Sequence, residues 1–432
     1  MAYGRHILIG LLVVAAWGAL ASGAERFPPP EFDTAYERPT FETPHPRQDY
    51  WEYIDVAVLV GGLALASWLI LKHRRRWAVF TLMIGALLYF GFFRLGCVCP
   101  IGAVQNVTKT GFDAEYVIPI AVLLFFAIPL AFTLFLGRTF CGAICPLGAI
   151  QDAVLLKPMK VPRWLETSLR LLAYTYLGAA VLFAATGAAF IICQYDPFIG
   201  FFRLGGNWNI LLVGAALLLI GMFIGRPYCR FLCPYGIVLR HFSRLSKWNV
   251  RITPTECINC RLCEDACPFG AIREPTEDWP EKEYKVGKAR LAFFILLLPV
   301  LTALGAWGGY MLRGPLSRVH PTVRTAERVY LEETGQVEGT TDASDAFRTT
   351  GEPSSELYAE ASELREDYAI GGALLGAFLG LVVGGEFLSL SVRRRRTEYE
   401  VDRASCLACG RCYEYCPKEH ERRKKSQETV TV

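Results

Sequence analysis

Two runs of four cysteines have a spacing that can hold iron–sulfur clusters. Both runs read C-x2-C-x2-C-x3-C-P, and their cysteines are Cys257, Cys260, Cys263 and Cys267, then Cys406, Cys409, Cys412 and Cys416. In two-cluster proteins with this spacing, three thiolates of a run bind one cluster and the fourth, before the proline, binds the other. The predicted ligand sets for two [4Fe–4S] clusters are therefore Cys257, Cys260, Cys263 with Cys416, and Cys406, Cys409, Cys412 with Cys267.

Two other chemistries use many cysteines, namely zinc sites and disulfides. Zinc sites favour two separated C-x2-C knuckles instead of one compact run, and disulfides have no need of the proline. The spacing is that of half a bacterial-type ferredoxin, and it occurs twice. A long and largely apolar insertion separates the halves, so we predict one dicluster ferredoxin split by an inserted membrane hairpin.

The elements that must position these cysteines are mostly apolar. The chain has 432 residues, of which 53% are hydrophobic, and a mean hydropathy of +0.29, as expected of a membrane protein. A bilayer core needs about 20 apolar residues per helix. The predicted fold is mainly α, a polytopic transmembrane bundle with about seven spans: Tyr53–Leu71, Trp77–Phe93, Val117–Leu136, Ser168–Ile192, Ile210–Gly225, Leu291–Leu312 and Ala369–Leu390.

Basic residues follow the first, third, fifth and seventh of these spans. The positive-inside rule places such segments in the cytoplasm, so we interpret the arginines, including Arg138 and Arg226, as topology signals. Both ferredoxin halves then lie on the cytoplasmic face of a bacterial inner membrane. Residues 1–24 resemble a secretory signal peptide, with an uncleaved anchor as the alternative.

These boundaries divide the chain into six predicted regions. The regions are 1–24, a signal peptide or anchor; 25–52, a periplasmic arm; 53–250, the transmembrane core; 251–288, the first ferredoxin half; 289–392, a transmembrane hairpin; and 393–432, the second ferredoxin half. The hairpin carries an acidic segment, 313–368, predicted as a periplasmic loop that either docks a basic partner or is a solvated cap. In the last span Gly372, Gly376, Gly380 and Gly384 are four residues apart, which predicts close helix packing.

The transmembrane core contains a duplicated unit. Residues 137–148 and 225–236 both read G-R-x-[aromatic]-C-x3-C-P-x-G directly after a span, and each is preceded by an F-F-R-L-G segment. We predict that each C-x3-C lies in a helix, with both thiols on one face. The four thiolates Cys141, Cys145, Cys229 and Cys233 suit an iron–sulfur cluster or zinc. Reduced dithiols, a redox disulfide or inert packing are the alternatives.

Three further cysteines, Cys97, Cys99 and Cys193, fall at the opposite ends of spans and so on the predicted external face. With Asp196 as an oxygen ligand they could hold another metal centre. A disulfide with one thiol left over is the alternative that an oxidising compartment favours. The sequence leaves both interpretations open.

Several functions lack sequence support. None of the six histidines lies inside a predicted span, so no haem is expected within the bundle. Neither a P-loop nor a convincing dinucleotide fingerprint is present. The basic clusters are not interleaved with aromatic residues on an extended soluble domain, so nucleic acid is not an expected partner.

The C-x3-C-P repeats on spans, joined to C-x2-C-x2-C-x3-C-P halves, resemble the NosR and NapH family of membrane-bound polyferredoxins. The resemblance covers roughly residues 77–272 and 393–417. It implies electron transfer between the quinone pool or a cytoplasmic donor and a periplasmic reductase or its maturation. Some members carry flavin, but Thr186-Gly-Ala-Ala departs from the flavin-attachment pattern at its last position, so a flavoprotein partner fits better than a flavin on this chain.

Three functional hypotheses follow. The first is an iron–sulfur electron-transfer subunit that works with other redox subunits in the bilayer. The second is a redox-sensing regulator or a maturation factor for a periplasmic reductase, in which clusters and dithiols switch conformation. The third is a structural anchor for other subunits.

Overall fold

The computed structural model describes residues 50–96, 99–252, 257–276, 281–392 and 395–428. The predicted signal peptide or anchor (1–24), nearly all of the predicted arm (25–52) and Cys97 lie outside these residues. The described part is mainly helical, which confirms the predicted fold class in outline.

The described residues form nineteen α-helices and three π-helical stretches. In the transmembrane core they are α1 Tyr50–Trp68 (continued by Leu69–His73), α2 Arg76–Ala86 (continued by Leu87–Phe93), α3 Pro100–Phe112, α4 Ile120–Leu136, the π-turn Phe140–Ile144, α5 Pro146–Ala153, α6 Arg163–Ala185, α7 Ile191–Gln194, α8 Ile199–Phe202, α9 Trp208–Gly221, α10 Pro227–Phe231 and α11 Pro234–Arg244. The remainder are α12 Leu262–Asp265, α13 Glu281–Met311, α14 Arg313–Ser317, α15 Pro321–Glu333, α16 Asp342–Thr350, α17 Ser354–Ser391, α18 Arg411–Glu414 and α19 Pro417–Glu428, with strands β1 Ile272–Arg273 and β2 Glu400–Val401.

Each predicted span coincides with a helix. Among the described residues, five helices are long and apolar enough to cross a bilayer: Tyr50–His73, Arg76–Phe93, Arg163–Ala185, Val286–Met311 and Ser354–Ser391. The other two, α4 and α9, are apolar but only 17 and 14 residues long. Helix α4 begins later than predicted because Pro119 caps it with extended backbone (ψ 136°). The structure is that of a multi-pass membrane protein.

The inserted hairpin is formed by α13 and α17, which pack glycine against glycine. A Cβ atom at Gly372 would lie 2.7 Å from the carbonyl oxygen of Gly309, and Gly376 meets Gly305 at a similarly close approach. Only residues without a side chain allow backbones this near. The predicted packing role of the glycine stripe is therefore confirmed.

The acidic segment 313–368, which connects the two long helices of the hairpin, is folded. It forms α14, α15, α16 and the first part of α17, which share a small core of Val323, Val329 and Leu357. Apolar residues at helical spacing give these helices a face to bury. The periplasmic position of the segment stays a prediction. Many of the acids pair locally, as Glu332 does with Arg328 at 2.7 Å.

The two ferredoxin halves meet in one unit. Strands β1 and β2 pair antiparallel, with Ile272 opposite Val401. Arg273 of the first half and Asp402 of the second form an ion pair at 2.9 Å. The hairpin therefore leaves and returns to the same side of the molecule, called here the ferredoxin side.

Candidate iron–sulfur sites

Four thiols from both runs line one pocket in the ferredoxin unit. They are Cys257, Cys260 and Cys263 from the first half and Cys416 from the second, around about 360 Å³ of space that is partly open to solvent. Burial, together with the neighbouring Cys416, raises the pKa of Cys263 to about 12. Four clustered thiols are costly to ionise together unless a cation or cluster takes up their charge.

The second set of thiols is more deeply enclosed. Cys412 interacts electrostatically with Cys406, Cys409 and Cys267, so the fourth member again comes from the opposite half. Burial raises the pKa of Cys406 to about 12, while an N–H donor lowers it. That donor is the Ala408 backbone N–H, 3.4 Å from the Cys406 Sγ, and the Ala271 N–H stands equally close to the Cys267 Sγ. Backbone N–H groups aimed at sulfur stabilise a cluster and tune its potential.

The thiol sets do not form a ready site for a single metal ion. Within the described ranges, no three His, Cys, Asp or Glu side chains converge closely enough to hold one ion. In a zinc site each cysteine sulfur lies about 2.3 Å from the one ion. In a [4Fe–4S] cluster the cysteine sulfurs bind different irons, so they can lie farther from one another. No two of the described cysteines form a disulfide.

The C-x3-C-P repeats do not lie within single helices, which corrects the prediction. Cys141 sits in the π-turn Phe140–Ile144, and Cys145 caps α5 with extended backbone (ψ 117°). Likewise Cys229 lies in α10, and Cys233 caps α11 (ψ 113°). The proline after each second cysteine is the cause, because it disfavours helical backbone at the residue before it.

The break nevertheless brings the four repeat cysteines together. Cys233 interacts electrostatically with Cys229, Cys145 and Cys141, and three of the four thiols are buried. This set, Cys141, Cys145, Cys229 and Cys233, is called the membrane quartet. Its sulfurs receive N–H donors, from the Gly236 backbone to Cys233 at 3.2 Å and from the Gln151 side chain to Cys229 at 3.4 Å. Such donors suit thiolates that ligate a cluster.

The ferredoxin unit packs directly on both repeats. A Cβ atom at Gly142, in the first repeat, would lie 2.8 Å from the carbonyl oxygen of Ala408 in the second half. A Cβ atom at Gly225, in the second repeat, would lie 2.9 Å from Pro268 in the first half. Each repeat therefore packs against one ferredoxin half, and its glycine permits the close approach of the two backbones.

Two arginines of the repeats were counted only as topology signals, and their contacts were missed. Arg226 has 0% exposed surface, donates to the carbonyl oxygens of Cys141 and Gly142, and lies 5.7 Å from the Phe269 ring. Arg138 is 6% exposed and donates to the carbonyl oxygen of Ala404 at 3.3 Å. Their identical place in both repeats is the signal that could have found them.

Asp152 is the common ion-pair partner of three arginines in this region. Its carboxylate lies 2.6 Å from Arg76, 3.4 Å from Arg411 and 3.6 Å from Arg226. Burial alone would raise the pKa of Asp152, but these three guanidinium groups hold it well below the usual range. Asp152 thereby joins the transmembrane core to the second ferredoxin half, which contributes Arg411.

The remaining cysteine set lies close enough to the membrane quartet to interact with it electrostatically, whereas the sequence placed the two sets on opposite faces of the membrane. Cys99 caps α3 and interacts electrostatically with Cys193 and Asp196. Cys99 also interacts with Cys145. The Asp196 carboxylate accepts hydrogen bonds from the backbone N–H groups of Phe198 and Ile199. Whether this set binds metal stays a prediction, and Cys97 lies outside the described residues.

Two families of 4Fe-4S binding domain match this chain. One matches residues 118–163, 207–253 and 263–287, and the other matches residues 250–273. The first two of these segments contain the C-x3-C-P repeats and not the ferredoxin runs. No solved structure matches the chain significantly.

Three curated relatives are similar to parts of this chain. YccM of Escherichia coli, which is named for electron transport, is 32% identical over 118 residues, 25% of this chain and 33% of that protein. NirI of Paracoccus denitrificans is 34% identical over 27% of this chain and 18% of its own length. The regulatory protein NosR of Pseudomonas aeruginosa is 30% identical over 27% of this chain and 18% of its own length.

Over these segments the chain is similar to membrane iron–sulfur proteins of the NosR/NapH type. The matched region spans a third or less of these three relatives. The matched 4Fe-4S binding domains and the electron-transport name of YccM support iron–sulfur electron transfer as a function to propose for this chain.

Proposed function

We propose that this chain relays electrons between a donor, either quinol or a cytoplasmic carrier, and a partner in or across the membrane. Two [4Fe–4S] clusters in the ferredoxin unit and a third centre on the membrane quartet would form the route. The partner is another redox subunit, such as a flavoprotein or a periplasmic reductase. Basic segments at the ferredoxin side support a cytoplasmic position for that unit.

The observation that carries this proposal is the contact between the enclosed ferredoxin thiols and the membrane quartet. Leu407 and Ala408, the two residues before Cys409, rest on Gly142, the residue after Cys141. Arg76 also donates to the carbonyl oxygen of Cys409 at 2.9 Å. Two sites in direct backbone contact leave little distance for an electron to cross.

The chain's own residues would do three things on this route. Thiolates would hold the clusters, which supply the one-electron chemistry when bound. Backbone N–H groups and the Gln151 amide would donate to sulfur, and Arg226 would stabilise the added negative charge of a reduced centre. Enclosure of the quartet would exclude water from it.

Iron and acid-labile sulfide counts on the purified chain test the proposal. Clusters on both ferredoxin sets and on the quartet give roughly twelve irons per chain, and the ferredoxin unit alone gives roughly eight. The double variant Cys141→Ser/Cys229→Ser should lower the count by about four and leave the ferredoxin signals intact. A wild-type count near zero, or clusters that quinol and low-potential donors both fail to reduce, would overturn it.

A redox-sensing role is the second candidate, because the relative NosR is named as a regulatory protein. In that role the clusters would switch partner binding instead of passing current. Rapid and repeated reduction and reoxidation favours the relay. Partner binding that changes with cluster oxidation state, without turnover, favours the sensor.

A further inference from the structure

The two ferredoxin halves present the same loop in opposite environments. Between the first and second cysteines of its run, the second half has Leu407 and Ala408, and the first half has Ile258 and Asn259 at the same places. Leu407 is 2% exposed, whereas Ile258 is 58% exposed. Equivalent positions therefore differ because one loop is covered and the other is open.

The backbones of the two loops support this equivalence. Asn259 and Ala408 both have positive φ, at 53° and 52°, and the next pair, Arg261 and Gly410, have φ of 65° and 74°. Non-glycine residues rarely adopt this region, so its repetition indicates one shared conformation. A shared conformation gives both loops the same face.

In the second half, that face meets the next redox site. Leu407 and Ala408 cover Gly142, beside Cys141 of the membrane quartet. In the first half, the corresponding face carries the exposed Cys260 thiol together with Ile258 and Leu262, which is 45% exposed. Exposed apolar residues around a redox ligand are typical of an interaction site.

Charge indicates which kind of protein would bind there. Arg261 and Lys418 line the pocket of the first thiol set, and none of the described lining residues is acidic. The acids that follow the loop, Glu264 and Asp265, pair with Lys160 at 3.1 and 2.7 Å, and Arg261 lies 3.6 Å from Glu264. Glu256, which directly precedes Cys257, lies outside the described residues. The Arg261 side chain keeps 61% of its surface exposed. The described rim is therefore apolar with two basic side chains, of which Lys418 pairs with Glu421 at 2.8 Å and Arg261 is the more exposed to a partner.

We propose that the loop Cys257–Arg261 is the docking surface for a soluble one-electron carrier protein with an acidic surface around its redox centre. This inference rests on the proposed relay and names the class of its soluble partner. When the carrier is the donor, it loses one electron and this chain gains one; no bond forms and no proton moves. Such encounters are small, burying less than about 1,200 Å², and their rates depend on opposite charges.

Stopped-flow reduction by an acidic [2Fe–2S] ferredoxin, reduced and then freed of excess reductant, tests the surface. With the wild-type chain, the second-order rate should fall as salt is raised. Arg261→Glu and Ile258→Asp should each lower the rate about tenfold at low salt, and Arg261→Glu should also flatten the salt dependence. Arg365→Glu, an exposed charge reversal on α17, should change neither quantity.

A small reductant separates this inference from the relay itself. Reduced methyl viologen should reduce the clusters of every variant to the same extent, because it needs no docking surface. If methyl viologen failed to reduce the clusters of the wild-type chain, the proposed relay would be wrong. Two results, each with viologen reduction intact, would overturn the docking surface alone. One is an unchanged ferredoxin rate in Arg261→Glu and Ile258→Asp. The other is a ferredoxin rate that falls equally in Arg365→Glu.

Discussion

Gly142 and Ala408 lie against each other, so that a Cβ atom on Gly142 would stand 2.8 Å from the Ala408 carbonyl oxygen. These residues neighbour Cys141 and Cys409, which belong to different thiol sets. The contact is between backbones, so no side-chain rotation can relieve an added methyl group. The position of Gly142 therefore controls how closely the ferredoxin unit approaches the membrane quartet.

Gly142→Ala should push the two sites apart. We expect a loss of about 1–3 kcal/mol in stability from overpacking, with slower electron passage from the ferredoxin unit to the quartet. Freeze-quench spectroscopy of the clusters and thermal unfolding measure these effects. Gly111→Ala is the matched control, because nothing lies within 4 Å of its added Cβ. Equal unfolding temperatures and equal rates of electron passage in the two variants would contradict the contact.

Asp152→Asn should destabilise the junction between membrane core and ferredoxin. Removing the carboxylate leaves Arg76, Arg226 and Arg411 without their common partner, at a cost of about 3–5 kcal/mol. The exposed pair of Asp113 with Lys109, 3.7 Å apart, supplies the control Asp113→Asn, which should cost less than about 1 kcal/mol. Chemical unfolding in detergent measures both.

The same carboxylate predicts a pH dependence. Although burial opposes ionisation, the surrounding guanidinium groups lower the pKa of Asp152 below its unfolded value near 3.9. A lowered pKa contributes stability that is complete above the unfolded pKa and is lost as pH falls through the folded one. The difference in unfolding free energy between wild type and Asp152→Asn should thus stay constant from about pH 8 to pH 5. A difference that disappears within this range would contradict the assignment.

Gly309→Ala should loosen the inserted hairpin. An added Cβ would lie 2.8 Å from the carbonyl carbon of Gly372, so α13 and α17 must separate. We expect a loss of about 1–3 kcal/mol and weaker retention of clusters, since the hairpin holds the ferredoxin halves together. The adjacent Gly308→Ala meets nothing within 4 Å and should unfold like wild type. Thermal unfolding with iron analysis compares them.

Arg226→Gln should lower the reduction potential of the quartet centre. Arg226 is fully buried and close to Cys141 and Cys229, so its charge acts with little screening on an added electron. A redox titration followed by electron paramagnetic resonance measures the shift. Arg365→Gln, on exposed α17, should leave the potential unchanged. An unaltered potential in Arg226→Gln would show that this charge does not act on the quartet.

Local spacing could predict much of this molecule, since spans, cysteine runs and the glycine stripe each follow from neighbouring residues. The packing of Leu407 on Gly142 could not be predicted, because it joins residues 265 positions apart with no shared pattern. Arg138 and Arg226 show a second limit. An arginine after a span is expected both from the positive-inside rule and from a buried contact, and only the fold shows which role it has.

The broken C-x3-C turns show where a wrong rule was applied. At Cys145 and Cys233 the helical period was trusted over the following proline, although that proline ends the helix. In both places a stronger local signal was already in the sequence.

The exchange of fourth ligands between the ferredoxin halves is the central claim, and spectroscopy of single variants tests it most directly. Cys260→Ser and Cys416→Ser should remove or alter the same cluster signal, although 156 positions separate them, and Cys409→Ser and Cys267→Ser should alter the other. If Cys416→Ser instead altered the signal lost in Cys409→Ser, each run would hold its own cluster, and the account would be wrong.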